Sequence, residues 1–193
     1  EEARELIAEG NFTAVKVRLG RDTLDDDLAV FRAVRDAVGP DISLPVDFNQ
    51  SLNLDEALLR CAALDDEDVY WIEEPIRYDD FDGNASITAE ASTPIQNGEN
   101  FYGPESAARA FDAWALDYIM PDVERIGGVI GCEVAKTAIG IETRPHRVVK
   151  EATVSAANLA LYSKQFHDGP THRVLNVASR KAIVPLQPMP SLE

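Results

Sequence analysis

The chain has 193 residues, which is enough for one sizeable hydrophobic core. It carries 34 acidic and 18 basic residues, for a formal net charge of -16, and this excludes nucleic acid and anionic membrane surfaces as expected partners. Neither a signal-peptide pattern nor a long apolar run is found, and the isolated Cys61 and Cys132 favour buried thiols over a disulfide. We therefore expect a protein of the reducing cytoplasm.

Strand and helix patterns alternate along the chain. The strand segments are short and rich in β-branched residues, whereas the helical segments repeat apolar residues every three or four positions, as Leu24, Leu28 and Phe31 do. In chain order the predicted elements are helix 2–9, strand 13–18, helix 24–38, strand 43–47, helix 54–64, strand 69–73, helix 85–91, strand 94–99, helix 104–114, strand 117–122, helix 129–139, strand 141–146, helix 151–162 and a more weakly marked strand 173–177. This alternation predicts a parallel sheet.

The predicted fold class is α/β, with a parallel (β/α) barrel over residues 1–180. An irregular segment with three prolines follows at 181–193. A closed barrel of this type needs eight strands and typically about 250 residues, so we expect an incomplete barrel in which strands at both ends are lacking. The chain begins on a predicted helix, as if the strand before it were missing.

Charged residues recur at the ends of six of the predicted strands. The gaps between them are 31, 26, 26, 23 and 24 residues, each about the length of one strand–helix unit. Charged side chains at successive strand ends are the way in which barrel enzymes build active sites. The six residues are Lys16, Asp47, Glu73, Glu99, Asp122 and His146.

Three carboxylates of this series, Asp47, Glu73 and Glu99, indicate a divalent metal. Carboxylate oxygens are hard ligands that suit Mg²⁺, and no His or Cys lies beside them in the sequence to favour zinc. His146 has the residue type for proton transfer near neutral pH, because the ordinary pKa of histidine is about 6.5. Spacing alone does not distinguish such a site from three solvated or helix-capping acids in loops.

Local motifs favour the catalytic interpretation. Val-Lys-Val-Arg at 15–18, Val-Asp-Phe-Asn-Gln at 46–50, Trp-Ile-Glu-Glu-Pro at 71–75, Gly-Glu-Asn at 98–100 and Met-Pro-Asp at 120–122 occur in that order. Together they resemble the barrel domain of the enolase superfamily, and in particular the mandelate racemase group of the mandelate racemase/muconate lactonizing enzyme family. The resemblance covers residues 2–161, and five ordered motifs are far more specific than any one of them.

The resemblance implies a magnesium site. Asp47, Glu73 and Glu99 match the metal ligands of the family, and one Mg²⁺ ion is the implied cofactor. Asn49 matches a position that touches the substrate near the metal. Glu74 is expected to support the ligands rather than to bind the metal.

The resemblance also implies proton-transfer residues. Asp122 and His146 match the Asp–His pair that acts as a base, and Lys16 matches the first lysine of a Lys-x-Lys motif that neutralises the substrate carboxylate. The second lysine of that motif, a base on the opposite face, is Arg18 here. Arginine has a pKa above about 12 and is a poor base, so we expect one-base chemistry by His146 with Arg18 as an electrostatic clamp.

Three features depart from the family pattern. The capping domain that covers the substrate has no counterpart in this sequence, and the interval from Asp122 to His146 is about one helical turn shorter than is usual. The late acid that contacts the substrate carboxylate has only a weak candidate, Asp168. We therefore expect that the chain represents part of a longer enzyme.

The expected activity is Mg²⁺-dependent abstraction of the α-proton of a small hydroxycarboxylate. A hydro-lyase that dehydrates an acid sugar to a 2-keto-3-deoxy acid is preferred, because Arg18 replaces the second base. The alternatives are a mandelate-type racemase or epimerase, and an inactive barrel retained for assembly or ligand binding. By family analogy the protein is expected to be a homo-oligomer.

Overall fold

The computed structural model describes residues 2–10, 12–139, 174–176 and 181–182, and it forms strands and helices in alternation. The helices are α1 Glu2–Gly10, α2 Leu24–Val38, α3 Leu54–Leu64, α4 Phe81–Glu90, α5 Gly103–Asp112 and α6 Gly128–Ile139. The strands are β1 Ala14–Arg18, β2 Val46–Asp47, β3 Ile72–Glu73, β4 Ile95–Asn97, β5 Tyr118–Ile119, β6 Val174–Asn176 and β7 Lys181–Ala182.

The strands of the described residues form one sheet in the order β5-β4-β3-β2-β1-β6-β7. All neighbouring pairs from β5 to β6 are parallel, which confirms the predicted α/β class with a parallel sheet. Helices connect the parallel strands from β1 to β5, so their carboxyl ends lie on the same edge of the sheet. That edge is where the charged residues of the sequence motifs occur.

Three details differ from the sequence-based expectations. Helix α4 begins at Phe81, four residues before the predicted start, because the Asp80 side chain accepts a hydrogen bond from the Gly83 N–H at 2.9 Å and caps the helix. Most strands are only two or three residues long. Lys181–Ala182 pairs antiparallel with β6, whereas an irregular segment was expected there; the three prolines that suggested it all follow this pair.

Several predictions concern residues outside the described ranges. They include strand 141–146 with His146, helix 151–162 and Asp168, and most of the segment 181–193. The proposed boundary at residue 180 therefore stays a prediction. No helix of the described part of the chain is both long enough and apolar enough to cross a membrane.

Apolar residues pack the helices onto the sheet. One cluster lies under β1 to β4 and includes Val15, Val17, Phe31 and Ile72, all of which are almost fully buried. Alternate residues of a strand point to opposite faces, so Val15 and Val17 pack against helices while Lys16 lies on the other face of the sheet. Packing of the valines thus fixes the direction in which the lysine points.

A buried ion pair fixes the loop between β1 and α2. The Asp27 carboxylate accepts hydrogen bonds from the backbone N–H groups of Gly20 and Arg21, each at 3.0 Å, and from Arg60 Nη1 at 2.6 Å. Asp27 and Arg60 are 1% and 4% exposed. Arg60 also donates to the backbone oxygen of Arg21 at 2.8 Å, so the pair joins α2 and α3 to the loop that follows the Lys16 strand.

We expect Asp27→Asn to lower the free energy of unfolding by about 3 kcal/mol, because one partner of a buried pair is removed and an amide is placed against N–H donors. Urea unfolding measures this change. Arg32→Met is the control, because Arg32 forms an exposed ion pair with Glu67 and its loss should change stability little. An equal effect of the two substitutions would contradict this account of the loop.

Candidate metal centre

The sheet register brings the charged strand ends into one row. Arg18 pairs with Asp47, Asp47 pairs with Glu73, and Glu73 pairs with Gln96. Laterally paired residues of a parallel sheet point to the same face, and Lys16, two residues before Arg18, shares that face. Neighbouring strands thus deliver a lysine, an arginine and two carboxylates to one place.

The ammonium group of Lys16 lies between two buried carboxylates. Its Nζ donates to both oxygens of Glu73, at 2.8 and 2.9 Å, and lies 3.2 Å from Asp47 Oδ2. Glu73 is 1% exposed and Asp47 is 3% exposed, so these charges are almost completely removed from water. One ammonium is therefore shared by two carboxylates in a region of low dielectric constant.

Three carboxylates, Asp47, Glu73 and Glu99, meet two cations, Lys16 and Arg18, in this region. Burial raises the pKa of Glu73 to about 7, the Lys16 charge and hydrogen bond oppose this rise, and the charges of Asp47 and Glu99 add to it. Burial alone would lower the pKa of Lys16, but Glu73 and Asp47 raise it above its ordinary value. A positive charge near Glu73 and Asp47 is thus electrostatically favoured.

Glu99 reaches the same region from the loop after β4. Gly98 precedes it with φ +142°, and a Cβ on Gly98 would lie 2.8 Å from backbone atoms of Met120, so a glycine is required for this turn. The Glu99 carboxylate accepts a hydrogen bond from Asn49 Nδ2 at 3.3 Å. Asn49 also donates its backbone N–H to Asp47 Oδ1 at 2.8 Å, which orients that carboxylate.

Arg18 lies at the rim of the site. Its guanidinium nitrogens are 3.4 and 3.5 Å from the Asp47 carboxylate, and its side chain is 38% exposed. The arginine thus has a fixed inner partner and a face open to solvent. Such a group is placed to attract an anion, because it stays protonated at all physiological pH values.

Asp122 caps the turn after β5. Its Oδ1 accepts hydrogen bonds from the backbone N–H groups of Glu124 at 2.8 Å and Arg125 at 3.1 Å. This local role does not depend on a histidine, and the proposed partner His146 lies outside the described residues. The Asp122–His146 pair therefore stays a prediction.

The donor set suits a hard divalent cation. Asp47, Glu73 and Glu99 supply only carboxylate oxygens, the ligands that Mg²⁺ prefers. In the described part of the chain, however, no three His, Cys, Asp or Glu residues converge closely enough to hold an ion together. Lys16 bridges Asp47 and Glu73 instead, so a cation is favoured here by the excess of carboxylates over cations rather than by assembled coordination geometry.

A hydrogen-bond network that sequence reasoning missed lies beside these carboxylates. Glu74 is 1% exposed and accepts bonds from Asn100 Nδ2 at 2.9 and 2.8 Å and from Gln50 Nε2 at 3.0 Å. Burial raises the pKa of Glu74 to about 7, although these two amides oppose the rise. Sequence reasoning expected Glu74 to support the ligands but did not identify these partners, whose only signal was a polar amide directly after Asn49 and directly after Glu99.

The family of the chain follows from comparison with known proteins. The family model described as "Enolase C-terminal domain-like" matches residues 1–173. The chain therefore belongs to this family, and its relatives are mandelate racemase/muconate cycloisomerase enzymes, as the motifs predicted. Its structural neighbours are enolase-superfamily barrels, which confirms the predicted fold class.

Individual relatives include 3,6-anhydro-alpha-L-galactonate cycloisomerase of Streptomyces coelicolor, which is 33% identical over 89% of this chain and 43% of its own. An enolase of the alpha proteobacterium BAL199, with bound magnesium, is 48% identical over 72% of this chain and 39% of its own, with a TM-score of 0.68. An enolase from Bradyrhizobium, with magnesium and mandelic acid, is 33% identical over 91% of this chain and 47% of its own, with a TM-score of 0.72.

The relatives are enzymes of several reaction types. They include acid-sugar dehydratases, cycloisomerases and epimerases. The chain spans less than half the length of these relatives. Family membership thus does not decide among dehydration, cycloisomerisation and epimerisation.

We expect Lys16→Met to lower the melting temperature in metal-free buffer more at about pH 8 than at about pH 5.5. The folded protein holds the Glu73 proton more tightly than the unfolded chain, whose carboxyl pKa is near 4.5, so stability falls as the pH rises from there to about 7. Removing the ammonium raises the pKa of Glu73 further and deepens that loss.

Calorimetric melting at the two pH values measures this effect. Arg77→Met removes an exposed cation paired with Asp79 and should leave the pH dependence as in the wild type. A Lys16→Met protein that loses equal stability at both pH values would contradict the proposed coupling of Lys16 and Glu73.

Proposed function

We propose that the protein is part of a Mg²⁺-dependent enzyme that removes the α-proton of a hydroxycarboxylate and dehydrates an acid sugar. The observation that carries this proposal is the group of three carboxylates, Asp47, Glu73 and Glu99, at the carboxyl edge of a parallel sheet, where they outnumber the two cations Lys16 and Arg18. Relatives that include acid-sugar dehydratases and enolases with bound magnesium support it.

Asp47, Glu73 and Glu99 would hold the magnesium ion. When bound, the ion stabilises the negative charge that develops on the substrate carboxylate as the α-proton leaves. Asn49 donates a hydrogen bond to Glu99 and orients Asp47, so it is suited to keep both carboxylates in place and to face the substrate. Lys16 supplies a further positive charge near the substrate carboxylate.

Proton transfer is assigned to His146 with Asp122. In this proposal the neutral imidazole takes the α-proton, and the electron pair of the C–H bond moves towards the carboxylate. The imidazolium then returns that proton to the β-hydroxyl, which leaves as water, and the resulting enol becomes a 2-keto acid as its O–H proton moves to the β-carbon. Asp122 already accepts two backbone N–H groups through Oδ1, so its Oδ2 is the oxygen assigned to the imidazole.

Arg18 favours dehydration over racemisation. A racemase needs a base on each face of the substrate, and the permanently charged guanidinium of Arg18 is a poor base. Its contact with Asp47 and its exposed face suit it to hold the substrate carboxylate. An isomerase is the second candidate, because cycloisomerases and epimerases are among the relatives.

We expect the whole protein to bind one Mg²⁺ ion and Glu73→Gln to weaken that binding by about tenfold to a hundredfold, because a charged ligand is replaced by a neutral amide. Isothermal titration calorimetry measures the affinity. Glu90→Gln makes the same change of charge on the exposed end of α4 and should bind as the wild type does. A wild type that binds no Mg²⁺, or a Glu73→Gln protein that binds equally well, would reject the metal site.

We also expect the wild type with Mg²⁺ to convert an acid sugar to a 2-keto-3-deoxy acid without releasing an epimer. His146→Asn should lower kcat by about 10²- to 10⁴-fold, since it removes the base. Incubation of a panel of acid sugars in D2O, followed by NMR, distinguishes the reactions. Deuterium at the α-carbon of an epimer, with no keto acid formed, would replace the dehydratase by a racemase or epimerase.

A further inference from the structure

Glu74 occupies a position that the proposed chemistry does not use. It directly follows β3 and Glu73, but its partners are the side-chain amides of Gln50 and Asn100 rather than Lys16. A fully buried carboxylate is unfavourable unless it is well hydrogen-bonded, and Glu74 receives bonds on both oxygens. The position of the Glu74 side chain is therefore fixed by two other loops, those that carry Gln50 and Asn100.

The first of these loops follows β2 and carries Asn49. Gln50 Nε2 donates to the Glu74 carboxylate, and Gln50 Oε1 accepts the backbone N–H of Tyr78 at 3.2 Å. The backbone N–H of Gln50 donates to the backbone oxygen of Glu74 at 2.7 Å. Glu74 and Gln50 are thus joined by both side chain and backbone. Any shift of Gln50 moves Asn49, which orients Asp47 and contacts Glu99.

The second loop follows β4 and carries Glu99. Asn100, the next residue, donates its amide to both oxygens of Glu74, and its Oδ1 accepts a bond from Arg125. Arg125 Nη1 also donates to the backbone oxygen of Glu99 at 3.3 Å. The network thus extends from the end of β3 to the loops after β2, β4 and β5.

Backbone strain accompanies this network. Asn49, Gln50 and Glu74 have φ values of 48°, 63° and 41°, in the left-handed region that residues other than glycine rarely adopt. Such conformations persist only where surrounding bonds hold them. Hydrogen bonds join Glu74 to Gln50 directly, and Asn49 is the covalent neighbour of Gln50, so these bonds are the restraints expected to hold the three residues.

We propose that Glu74 is a positioning residue that joins the loops of Asn49 and Glu99 to the strand end of Glu73 and thereby sets the distances among the candidate metal ligands. This inference rests on the proposed magnesium site. Residues that orient metal ligands typically change metal affinity or activity by about 10- to 100-fold when they are replaced. Glu74 acts through hydrogen bonds in this role, and its charge alone is not sufficient.

Three variants of the whole protein test the role of the hydrogen bonds. Glu74→Gln keeps the size but presents an amide donor to a donor of Gln50 or Asn100. Glu74→Asp keeps the charge but withdraws the carboxylate from both amides. In the double variant Glu74→Gln/Gln50→Glu the donor and acceptor exchange places, so the bond between the two side chains is restored.

Asp65→Asn is the matched control. The Asp65 carboxylate accepts the backbone N–H groups of Ser92 at 2.9 Å and Thr93 at 2.7 Å, in the turn that precedes β4 at the opposite edge of the sheet. Its replacement should lower the melting temperature without changing Mg²⁺ affinity. This control shows whether a general loss of stability is enough to weaken Mg²⁺ binding.

The first readout is Mg²⁺ affinity by calorimetry, well below the melting temperature of every variant. We expect Glu74→Gln and Glu74→Asp each to bind about tenfold more weakly than the wild type, and the double variant to recover to within about threefold. Wild-type affinity in both single variants would overturn the inference. So would wild-type affinity in Glu74→Asp alone, because charge would then be sufficient.

The second readout is hydrogen exchange of the loops, which needs no metal. We expect faster exchange at residues 49–52 and 100–103 in Glu74→Gln than in the wild type or Asp65→Asn. If the wild type binds no Mg²⁺, the proposed function fails, and exchange still decides whether Glu74 holds the loops. Unchanged exchange at both loops in Glu74→Gln would overturn the inference that Glu74 holds them.

Discussion

The Lys16 ammonium between Asp47 and Glu73 is the interaction on which the site depends. The three residues come from three neighbouring strands and are almost fully buried, so their charges interact without screening by water. Removing Lys16 would leave two buried carboxylates without the cation that they share, which is far more costly than the ion pairs themselves are stabilising. The parallel register of β1, β2 and β3 and the packing of Val15 and Val17 hold these three groups together.

The buried charges also explain why this edge of the sheet suits a cation. Lys16 and Arg18 face Asp47 and Glu73, and Glu99 adds a third carboxylate that is close enough to raise the pKa of Glu73. A protein that only needed stability would place apolar residues here, because replacing a buried ion pair by packed hydrophobic groups is often neutral or favourable. Retention of several acids together with strained loops at one edge is typical of a functional site.

Much of the fold and part of the site could be predicted because their determinants are local. Apolar residues repeated every three or four positions predicted helix 24–38 from neighbouring residues alone, and the structure has α2 at the same bounds, between a Thr23 cap and Gly39. The row of Asp47 and Glu73 follows from strand ends that repeat after each helix. The start of α4 was missed because the Asp80 cap precedes a segment with weak apolar periodicity. The partners of Gln50, Asn100 and Arg60 were missed because each lies far away in the sequence, where no local pattern reveals it.

The sequence by itself determined the alternation of strands and helices, the acids at the strand ends and the family. The resemblance already separated Glu73 as a ligand from Glu74 as a supporting acid, but only the tertiary structure decided their partners, which are Lys16 for Glu73 and the amides of Gln50 and Asn100 for Glu74. Lys16 and Glu73 are 57 positions apart in the chain, and Glu74 leaves the strand with a left-handed backbone, at φ 41°. Strand register and burial, which are not local properties, therefore assign Glu73 to the charged row and Glu74 to the loops around it.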